Sequence, residues 1–278
     1  MPRLSGTTRL AAVIGAPIRH SLSPAIFNAA FECCELDWVY LAFEVPEGEA
    51  RAALEAVRAL GIGGLSVTMP HKDAVAELVE HCTPEAAALH AVNCVVPTGD
   101  GFVGENTDGP GFLDSLRAET GFDVAGRRTV VLGAGGAARA IVLALSRAGA
   151  SEVSVVNRTP ERAETAAALA GPVGRVSTGD AIGQADLVVN ATSVGMGDGR
   201  LPFDPAMLTA GQVVADIVYH PSPTPLVAAA LDRGVVAVDG LGMLVHQAAH
   251  AFRLWTGVEP PIEVMTTAAR AALVSPEF

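Results

Sequence analysis

The chain has 278 residues, half of them apolar and 17% charged, so it is long enough for one large domain or two smaller ones and is not a disordered chain. Its formal net charge of −12 repels phosphate backbones, which excludes nucleic acid as an expected partner and leaves anionic ligands to local hydrogen-bond donors. No uncharged stretch reaches the ~18 residues that a membrane span needs.

The first part of the chain alternates apolar, β-branched runs with alanine-rich stretches, which is typical of βαβ units and a mainly parallel sheet. We predict strands over 10–15, 39–45, 64–68, 92–96 and 101–105, and helices over 24–36, 47–60, 71–80 and 109–120. The segment 98–101, Thr-Gly-Asp-Gly, separates the last two strands and indicates a hairpin.

The loop after the first strand carries two serines, in the segment His20-Ser21-Leu22-Ser23-Pro24. The hydroxyls of Ser21 and Ser23 suit a carboxylate ligand. A serine before a proline is also a common helix N-cap, so the spacing leaves both interpretations open.

Two more polar segments, 66–72 and 104–109, lie where predicted strands give way to helices. Lys72 is the only lysine of the chain, which favours a dedicated role for its amine; the alternative is a solvated lysine at a helix end. Asp108 either caps the helix at Gly109 or lies beside Lys72, where the two would form a proton-transfer dyad.

A second series of units begins near Gly126. We predict strands over 128–132, 152–156, 186–190, 213–217 and 235–238, helices over 136–148, 160–170 and 224–233, and two further helices within 241–274, broken by Pro260-Pro261. Two series imply two domains, and a cleft between domains is the usual place for a cofactor to meet a small substrate.

A glycine-rich turn follows the predicted strand 128–132. It reads Gly133-Ala134-Gly135-Gly136-Ala137-Ala138 and matches the dinucleotide fingerprint, in which the first glycine permits a tight turn and the second lets the backbone approach a pyrophosphate. The strand before it and the helix after it supply the required context, against the alternative of a purely structural glycine turn.

The next strand ends in Asn157-Arg158-Thr159, with Arg162 one helical turn further on. A site for NAD usually has an acidic residue here, paired with the ribose 2′-hydroxyl, and that acid would repel a 2′-phosphate. Two guanidinium groups can instead clamp the phosphate, so the segment predicts NADP; the alternative is a pair of surface arginines.

The four cysteines form no C-x-x-C pair and have no zinc-type spacing. They are Cys33, Cys34, Cys82 and Cys94. We interpret them as free thiols in a reducing compartment, which predicts a cytoplasmic protein.

The segments described above, in their order, resemble the shikimate dehydrogenase family, and the resemblance spans almost the whole chain. Further matching segments are 13–15, 91–93, 190–196, 216–219, 224–226, 240–247 and 255–257. The resemblance implies an α/β protein that reversibly reduces 3-dehydroshikimate to shikimate with NADPH, in the chorismate pathway of aromatic amino-acid biosynthesis.

The resemblance also implies roles for single residues. Lys72 is the implied acid/base, with Asp108 as its partner. The substrate carboxylate would be held by Ser21 and Ser23, and its ring hydroxyls by Thr68, Lys72, Asn93, Asp108 and Gln247, with Tyr219 nearby. The cofactor would be held by Gly133 to Ala137, Asn157, Arg158, Thr159 and Arg162, with Thr192, Ile217 and Gly240 on the nicotinamide side.

In this family a substrate-binding domain, here 1–108, is completed by C-terminal helices, here 241–278, while 109–240 forms a Rossmann-type NADP-binding domain. We expect a monomer or homodimer that needs no metal. The chain departs from the family at Ser66, His71, His90 and Cys94, near the expected pocket, and we expect both histidines to be buried and neutral. These departures leave open a quinate/shikimate dehydrogenase of broader range or use of an aminated analogue; a catalytically silent NADP-binding sensor is the remaining alternative.

Overall fold

The computed structural model describes residues 4–274, which divide into two compact units. The first unit takes the described residues up to Thr107 and those from Val245 onward; the second runs Asp108–Leu244. The predicted ranges divided the chain after 108 and after 240, whereas the second division observed falls inside a helix that begins at Leu241.

The first unit is built on a mixed sheet. Its strands are β1 (Arg9–Gly15), β2 (Trp38–Glu44), β3 (Gly64–Val67), β4 (His81–Cys82), β5 (Cys94–Thr98) and β6 (Gly101–Glu105), in the order β2-β1-β3-β5-β6-β4. β1 is parallel to β2 and β3, but β5 is antiparallel to β3 and β6, so the expected parallel character holds only for part of this sheet. The predicted hairpin is confirmed, since Thr98 pairs with Gly101.

The N-terminal helices of this unit are α1 (Ser23–Cys33), α2 (Ala50–Leu60), α3 (Lys72–Leu78) and α4 (Pro84–Leu89). Neither α4 nor β4 was predicted from the sequence. Thr83 caps α4 through its hydroxyl, which accepts from the Ala86 N–H, and Pro84 occupies the first turn, so a start signal was present for a very short helix.

The second unit holds an all-parallel sheet. Its strands are β7 (Arg128–Leu132), β8 (Glu152–Val156), β9 (Gly174–Val176), β10 (Leu187–Asn190), β11 (Val213–Asp216) and β12 (Val236–Val238), in the order β12-β11-β10-β7-β8-β9. Its helices are α5 (Asp108–Thr120), α6 (Gly136–Arg147), α7 (Pro160–Ala168) and α8 (Pro225–Leu231). The chain starts in the middle of the sheet, runs to one edge and returns to the other half, which is the Rossmann order and confirms the predicted fold class.

Two C-terminal helices follow, α9 (Leu241–Thr256) and α10 (Ile262–Leu273). The later part of α9 packs on α1 and on the first sheet through aromatic side chains. Phe252 lies 5.5 Å from Phe31, centroid to centroid, and the Trp255 Nε1–H donates to the Val95 carbonyl at 3.1 Å. These contacts explain why residues from 245 onward belong to the first unit.

Within residues 4–274, no helix has both the length and the apolar character that crossing a bilayer requires.

Candidate active site

Three polar segments of the first unit meet at one edge of its sheet. The carboxyl ends of β3 and β6 lie beside the amino end of β5, because β5 runs antiparallel to both. The Val67 N–H donates to the Asn93 carbonyl at 2.8 Å, and the Asn93 N–H donates to the Glu105 carbonyl at 3.0 Å. The segments that carry Thr68, Asn93 and residues 106–107 are therefore neighbours.

Asn93 fixes the loop that leads to Asp108. Its side chain is buried, donates from Nδ2 to the Thr107 hydroxyl at 3.0 Å and accepts the Thr107 N–H at Oδ1, at 2.8 Å. Asp108, also buried, is the first residue of α5 and of the second unit. Thus Lys72 and Asp108 belong to different units, and their pairing stays a prediction.

Lys72 is half-buried and is the first residue of α3. Its carbonyl accepts the Val92 N–H at 3.0 Å, which ties the start of α3 to the Asn93 segment. A cation at a helix N-terminus is opposed by the helix dipole. Stabilisation of α3 therefore does not explain a lysine here, which argues against the alternative of a solvated helix-end side chain.

The capping interpretation of Ser23 is wrong. Helix α1 begins at Ser23 itself, its N-cap position is Leu22, and no side chain caps it. Ser23 is buried, and the Ser21 Oγ accepts the Ser23 N–H at 3.3 Å.

The departures from the family pattern have different surroundings. His71 is buried as expected, with Nε2 donating to the Val45 carbonyl at 2.8 Å. The expectation for His90 is wrong, because His90 is exposed at the C-terminus of α4. Ser66 accepts a 2.7 Å hydrogen bond from the Tyr40 hydroxyl, and Cys94 is a free thiol whose burial raises its pKa.

The remaining substrate candidates are divided between the units. Gln247 lies on the part of α9 that belongs to the first unit, with Ser21, Ser23, Thr68, Lys72 and Asn93. Tyr219 lies in the second unit, in the loop after β11, where burial raises the pKa of its phenol.

The glycine fingerprint lies at the carboxyl end of β7, the point where the strand order reverses. Gly133 has φ +110°, and a Cβ there would lie 2.7 Å from the Ala191 carbonyl oxygen, so only glycine fits this turn. A Cβ at Gly135 or Gly136 would meet no atom within 4 Å. This open space, at the N-terminus of α6 and beside Ala134 and Ala137, fits a pyrophosphate.

The segment after β8 presents two arginines. Arg158 and Arg162 are exposed, and in the part of the chain that the structure describes neither guanidinium is paired with a carboxylate. The Asn157 Nδ2–H donates to the Thr159 carbonyl at 3.0 Å, and Thr159 is the N-cap residue of α7. The two residues that directly follow β8, Asn157 and Arg158, thus include a cation and no acid, and the first carboxylate after them is that of Glu161, in the first turn of α7. The lack of an acid at the strand end itself fits a 2′-phosphate.

Thr192, Ile217 and Gly240 follow the carboxyl ends of β10, β11 and β12. Because carboxyl ends of parallel strands share one edge, these residues lie on the same side of the sheet as Gly133 and Asn157. The Gly240 N–H donates to the Val218 carbonyl at 3.0 Å, which joins the last two loops.

A polar cluster to which no role was assigned from the sequence lies at the same edge of the sheet and is fully or almost fully buried. It consists of Asn190, Asp216 and Thr224. Burial raises the pKa of Asp216, while hydrogen bonds from Thr224, Val218 and Asn190 act in the opposite direction. A signal was present, since β10 and β11 are apolar up to a last residue that is polar and buried.

No group of three His, Cys, Asp or Glu side chains within residues 4–274 is placed to hold a metal ion.

Models of protein families match three stretches of the chain. The shikimate dehydrogenase substrate binding domain matches 13–95, shikimate/quinate 5-dehydrogenase matches 116–195, and the shikimate 5′-dehydrogenase C-terminal domain matches 240–270.

Individual relatives cover nearly the whole chain. The shikimate dehydrogenase (NADP(+)) of Moorella thermoacetica is 46% identical, over 98% of this chain and 96% of the relative. The structure of shikimate 5-dehydrogenase from Thermus thermophilus, in complex with NADP(H) and shikimate, is 39% identical with a TM-score of 0.90, covering 95% of this chain and 100% of that one. Quinate dehydrogenase from Corynebacterium glutamicum, in complex with NAD, is 34% identical with a TM-score of 0.87, covering 95% and 99%.

Proposed function

This chain belongs to the shikimate dehydrogenase family, and we propose that it catalyses the reversible, NADPH-dependent reduction of 3-dehydroshikimate to shikimate in aromatic amino-acid biosynthesis. The observation that carries this proposal is the set of Thr68, Lys72 and Asn93 segments, joined by backbone hydrogen bonds at one edge of the first sheet. A lysine among neutral hydrogen-bonding groups suits a polyhydroxylated substrate that must exchange a proton.

The reduction needs a hydride and a proton. NADPH, held by the fingerprint turn and by the segment 157–162, would supply the hydride to the substrate carbonyl carbon. Lys72 donates the proton to the carbonyl oxygen as that oxygen gains negative charge, and accepts it again in the reverse direction. Asp108 orients the Lys72 ammonium.

Neutral side chains hold the substrate. The Ser21 and Ser23 hydroxyls bind its carboxylate, which matters because the net charge of −12 offers no attraction to an acid. Thr68, Asn93 and Gln247 bind the ring hydroxyls together with Lys72 and Asp108, and the family resemblance adds Tyr219 to this set.

We assign the first unit to the substrate and the second to NADP. The fingerprint turn binds the pyrophosphate, and Asn157, Arg158, Thr159 and Arg162 bind the adenosine 2′-phosphate end. We place the protein in the cytoplasm, since its four cysteines are free thiols, and expect a monomer or a homodimer.

A quinate/shikimate dehydrogenase of broader range is the second candidate. It is supported by Ser66, which replaces the larger asparagine usual in the family two residues before Thr68, and by the similarity to quinate dehydrogenase. The higher identity to the NADP-dependent shikimate enzyme favours the first candidate.

The test is an absorbance assay at the reduced-nicotinamide band with shikimate or quinate, each with NADP or NAD. We expect the highest kcat/KM for shikimate with NADP. Values for quinate within about tenfold of those for shikimate, a factor that corresponds to only ~1.4 kcal/mol, would support the second candidate. NADP binding without turnover in any combination would contradict both and support the silent sensor.

A further inference from the structure

The carboxylate of Asp216 joins the ends of β10 and β11. The groups that donate hydrogen bonds to it are all neutral. Asp216 is only 2% exposed, and its Oδ1 accepts the Asn190 Nδ2–H at 2.8 Å and the Val218 N–H at 3.1 Å. Its Oδ2 accepts the Thr224 hydroxyl at 2.7 Å. Both oxygens of Asp216 are therefore used as acceptors.

This arrangement fixes the orientation of the Asn190 amide. An ionised carboxylate only accepts hydrogen bonds, so the amide turns its Nδ2 toward Asp216, and the same Nδ2 also donates to the Val194 carbonyl at 3.2 Å. Its Oδ1 then faces Thr192 and accepts from the Thr192 hydroxyl at 2.7 Å and from the Thr192 N–H at 3.2 Å.

The orientation of Asn190 in turn decides what Thr192 can do. A hydroxyl has one proton and two lone pairs. The Thr192 proton is used on Asn190, and one lone pair accepts the Val194 N–H at 3.1 Å. One lone pair of the Thr192 oxygen therefore remains available. Toward a ligand, the Thr192 hydroxyl can only accept a hydrogen bond.

Thr192 is also placed to meet the cofactor. It is half-buried, and a Cβ built at Gly133, in the fingerprint turn, would lie 3.2 Å from the Thr192 Cγ2. Thr192 thus lies beside the turn where the strand order of the sheet reverses, with its methyl group toward Gly133.

We propose that Asp216 is a positioning residue which, through Asn190, sets Thr192 as a hydrogen-bond acceptor for the nicotinamide-ribosyl half of NADP. The inference rests on the proposed function, which puts that half of the cofactor beside Thr192. The groups able to donate are the ribose hydroxyls and the carboxamide amino group.

The main test is Asp216→Asn, which keeps the shape of the side chain but adds a donor. When the introduced amide presents its N–H to Asn190, the Asn190 amide turns over, although its oxygen then faces the Val194 carbonyl and its N–H faces the Thr192 N–H. The Thr192 proton is then released toward the ligand, where it faces another donor. A lost hydrogen bond of about 1–1.5 kcal/mol corresponds to a rise of about five- to tenfold in the KM for NADP+ and in its Kd by titration calorimetry. We expect kcat to stay within about twofold.

Thr192→Val is the matched variant, because valine has the shape of threonine without the hydroxyl. If Asp216 acts through Thr192, adding Asp216→Asn to Thr192→Val causes no further rise in KM or Kd. Two results would overturn the proposal. One is a double variant in which the rises in KM and Kd of the two single variants multiply, and the other is an Asp216→Asn variant with the wild-type KM and Kd. A merely structural role predicts a lower melting temperature and no such dependence on Thr192.

The 3-acetylpyridine analogue of NADP+, which lacks the carboxamide amino group, identifies the donor. If that group donates, Thr192→Val weakens binding of NADP+ but not of the analogue; if a ribose hydroxyl donates, it weakens both equally. Either result supports the proposal, and no effect on either dinucleotide contradicts it. The calorimetric Kd needs no turnover, so a wild-type protein that binds NADP+ but oxidises neither shikimate nor quinate would contradict the proposed reaction and leave this test intact.

Discussion

At the scale of single residues, the proposed chemistry depends most on Lys72. Its backbone is held by the Val92 N–H, and it starts a helix whose dipole gains nothing from a cation. These observations agree with the role in proton transfer that we propose for Lys72.

Replacing Lys72 by Ala should lower turnover by ~10²–10⁴, the usual scale of lost acid–base catalysis, because the developing alkoxide loses its proton donor. NADP affinity should stay almost unchanged. Steady-state kinetics and a calorimetric NADP titration check both expectations. Lys72→Met is the control for packing, because it keeps a long stem without the amine and should lose as much activity; a fully active variant of either kind would end the assignment.

Arg158→Ala should weaken NADP binding by about 10–100-fold, since a hydrogen bond to a charged group contributes about 1.5–3 kcal/mol, and should change NAD binding far less. Arg233→Ala is the control, because Arg233 is an exposed arginine that precedes β12 at the opposite edge of the same sheet. Dissociation constants for both dinucleotides decide the matter. Equal losses for NADP and NAD would contradict the phosphate clamp.

The two fingerprint glycines should respond differently to Ala. Gly135 has φ −79° and open space around its Cβ position, so Gly135→Ala should fold normally but lose about tenfold or more in NADP affinity, because the methyl occupies space that the pyrophosphate needs. Gly133→Ala should instead lose about 1–3 kcal/mol of folding free energy at its φ of +110°. Chemical denaturation measures the folding free energy of both variants, and titration measures their affinity for NADP. A normal NADP affinity for Gly135→Ala would contradict binding of the pyrophosphate at the fingerprint turn.

At the scale of elements, the backbone at the C-terminus of α4 is strained. It ends at His90, whose φ of 48° and ψ of 43° are left-handed, a conformation that costs a side chain about 1–2 kcal/mol. Glycine pays no such cost but loses more entropy on folding, about 0.5–1 kcal/mol.

We therefore expect His90→Gly to raise the free energy of unfolding by roughly 0.5–1 kcal/mol, measured by denaturant titration. Ala88→Gly, at an exposed position inside the same helix, is the control and should lower it by about 1 kcal/mol. A loss of stability for His90→Gly would show that the imidazole makes a compensating contact.

At the scale of the whole molecule, the two units differ in whether they are formed by one continuous segment of the chain. The second is continuous, Asp108–Leu244, whereas the described part of the first joins an early and a late segment. The late segment completes the aromatic core, in which Phe27 stacks on Tyr40 at 4.3 Å and on Trp255 at 5.1 Å between ring centroids.

A fragment of residues 108–244 should consequently melt cooperatively and be stabilised by NADP, because its core and its fingerprint turn are complete. A fragment of residues 1–107 should show no cooperative transition, since Phe31 and Tyr40 lose the cover of Phe252 and Trp255. Joining 1–107 to 245–278 through a flexible linker should restore the transition, as followed by calorimetry. A cooperative 1–107 fragment would contradict this account.

The sequence by itself determined the alternating strands and helices and the fingerprint turn, because these depend on local periodicity and on backbone freedom at single residues. Strands β7 and β8 begin and end as predicted, and Asn157 and Arg158 follow directly from the end of β8. The candidate site residues were also named from the sequence: those of the serine loop, of Lys72 and Asp108 and of the cofactor segments through short continuous motifs, and the others through the family resemblance.

Only the tertiary structure decided the rest, because it depends on pairing between distant segments. β9 is a strand through its pairing with β8, and the exposure of His90 reflects how α4 ends. Asp216 is a buried acceptor because Asn190, 26 positions earlier, ends the neighbouring strand and donates to it. The burial of Asp216 and the hydrogen bond from Asn190 both depend on β10 and β11 being neighbours in the sheet. A local pattern of residues does not predict which strands are neighbours.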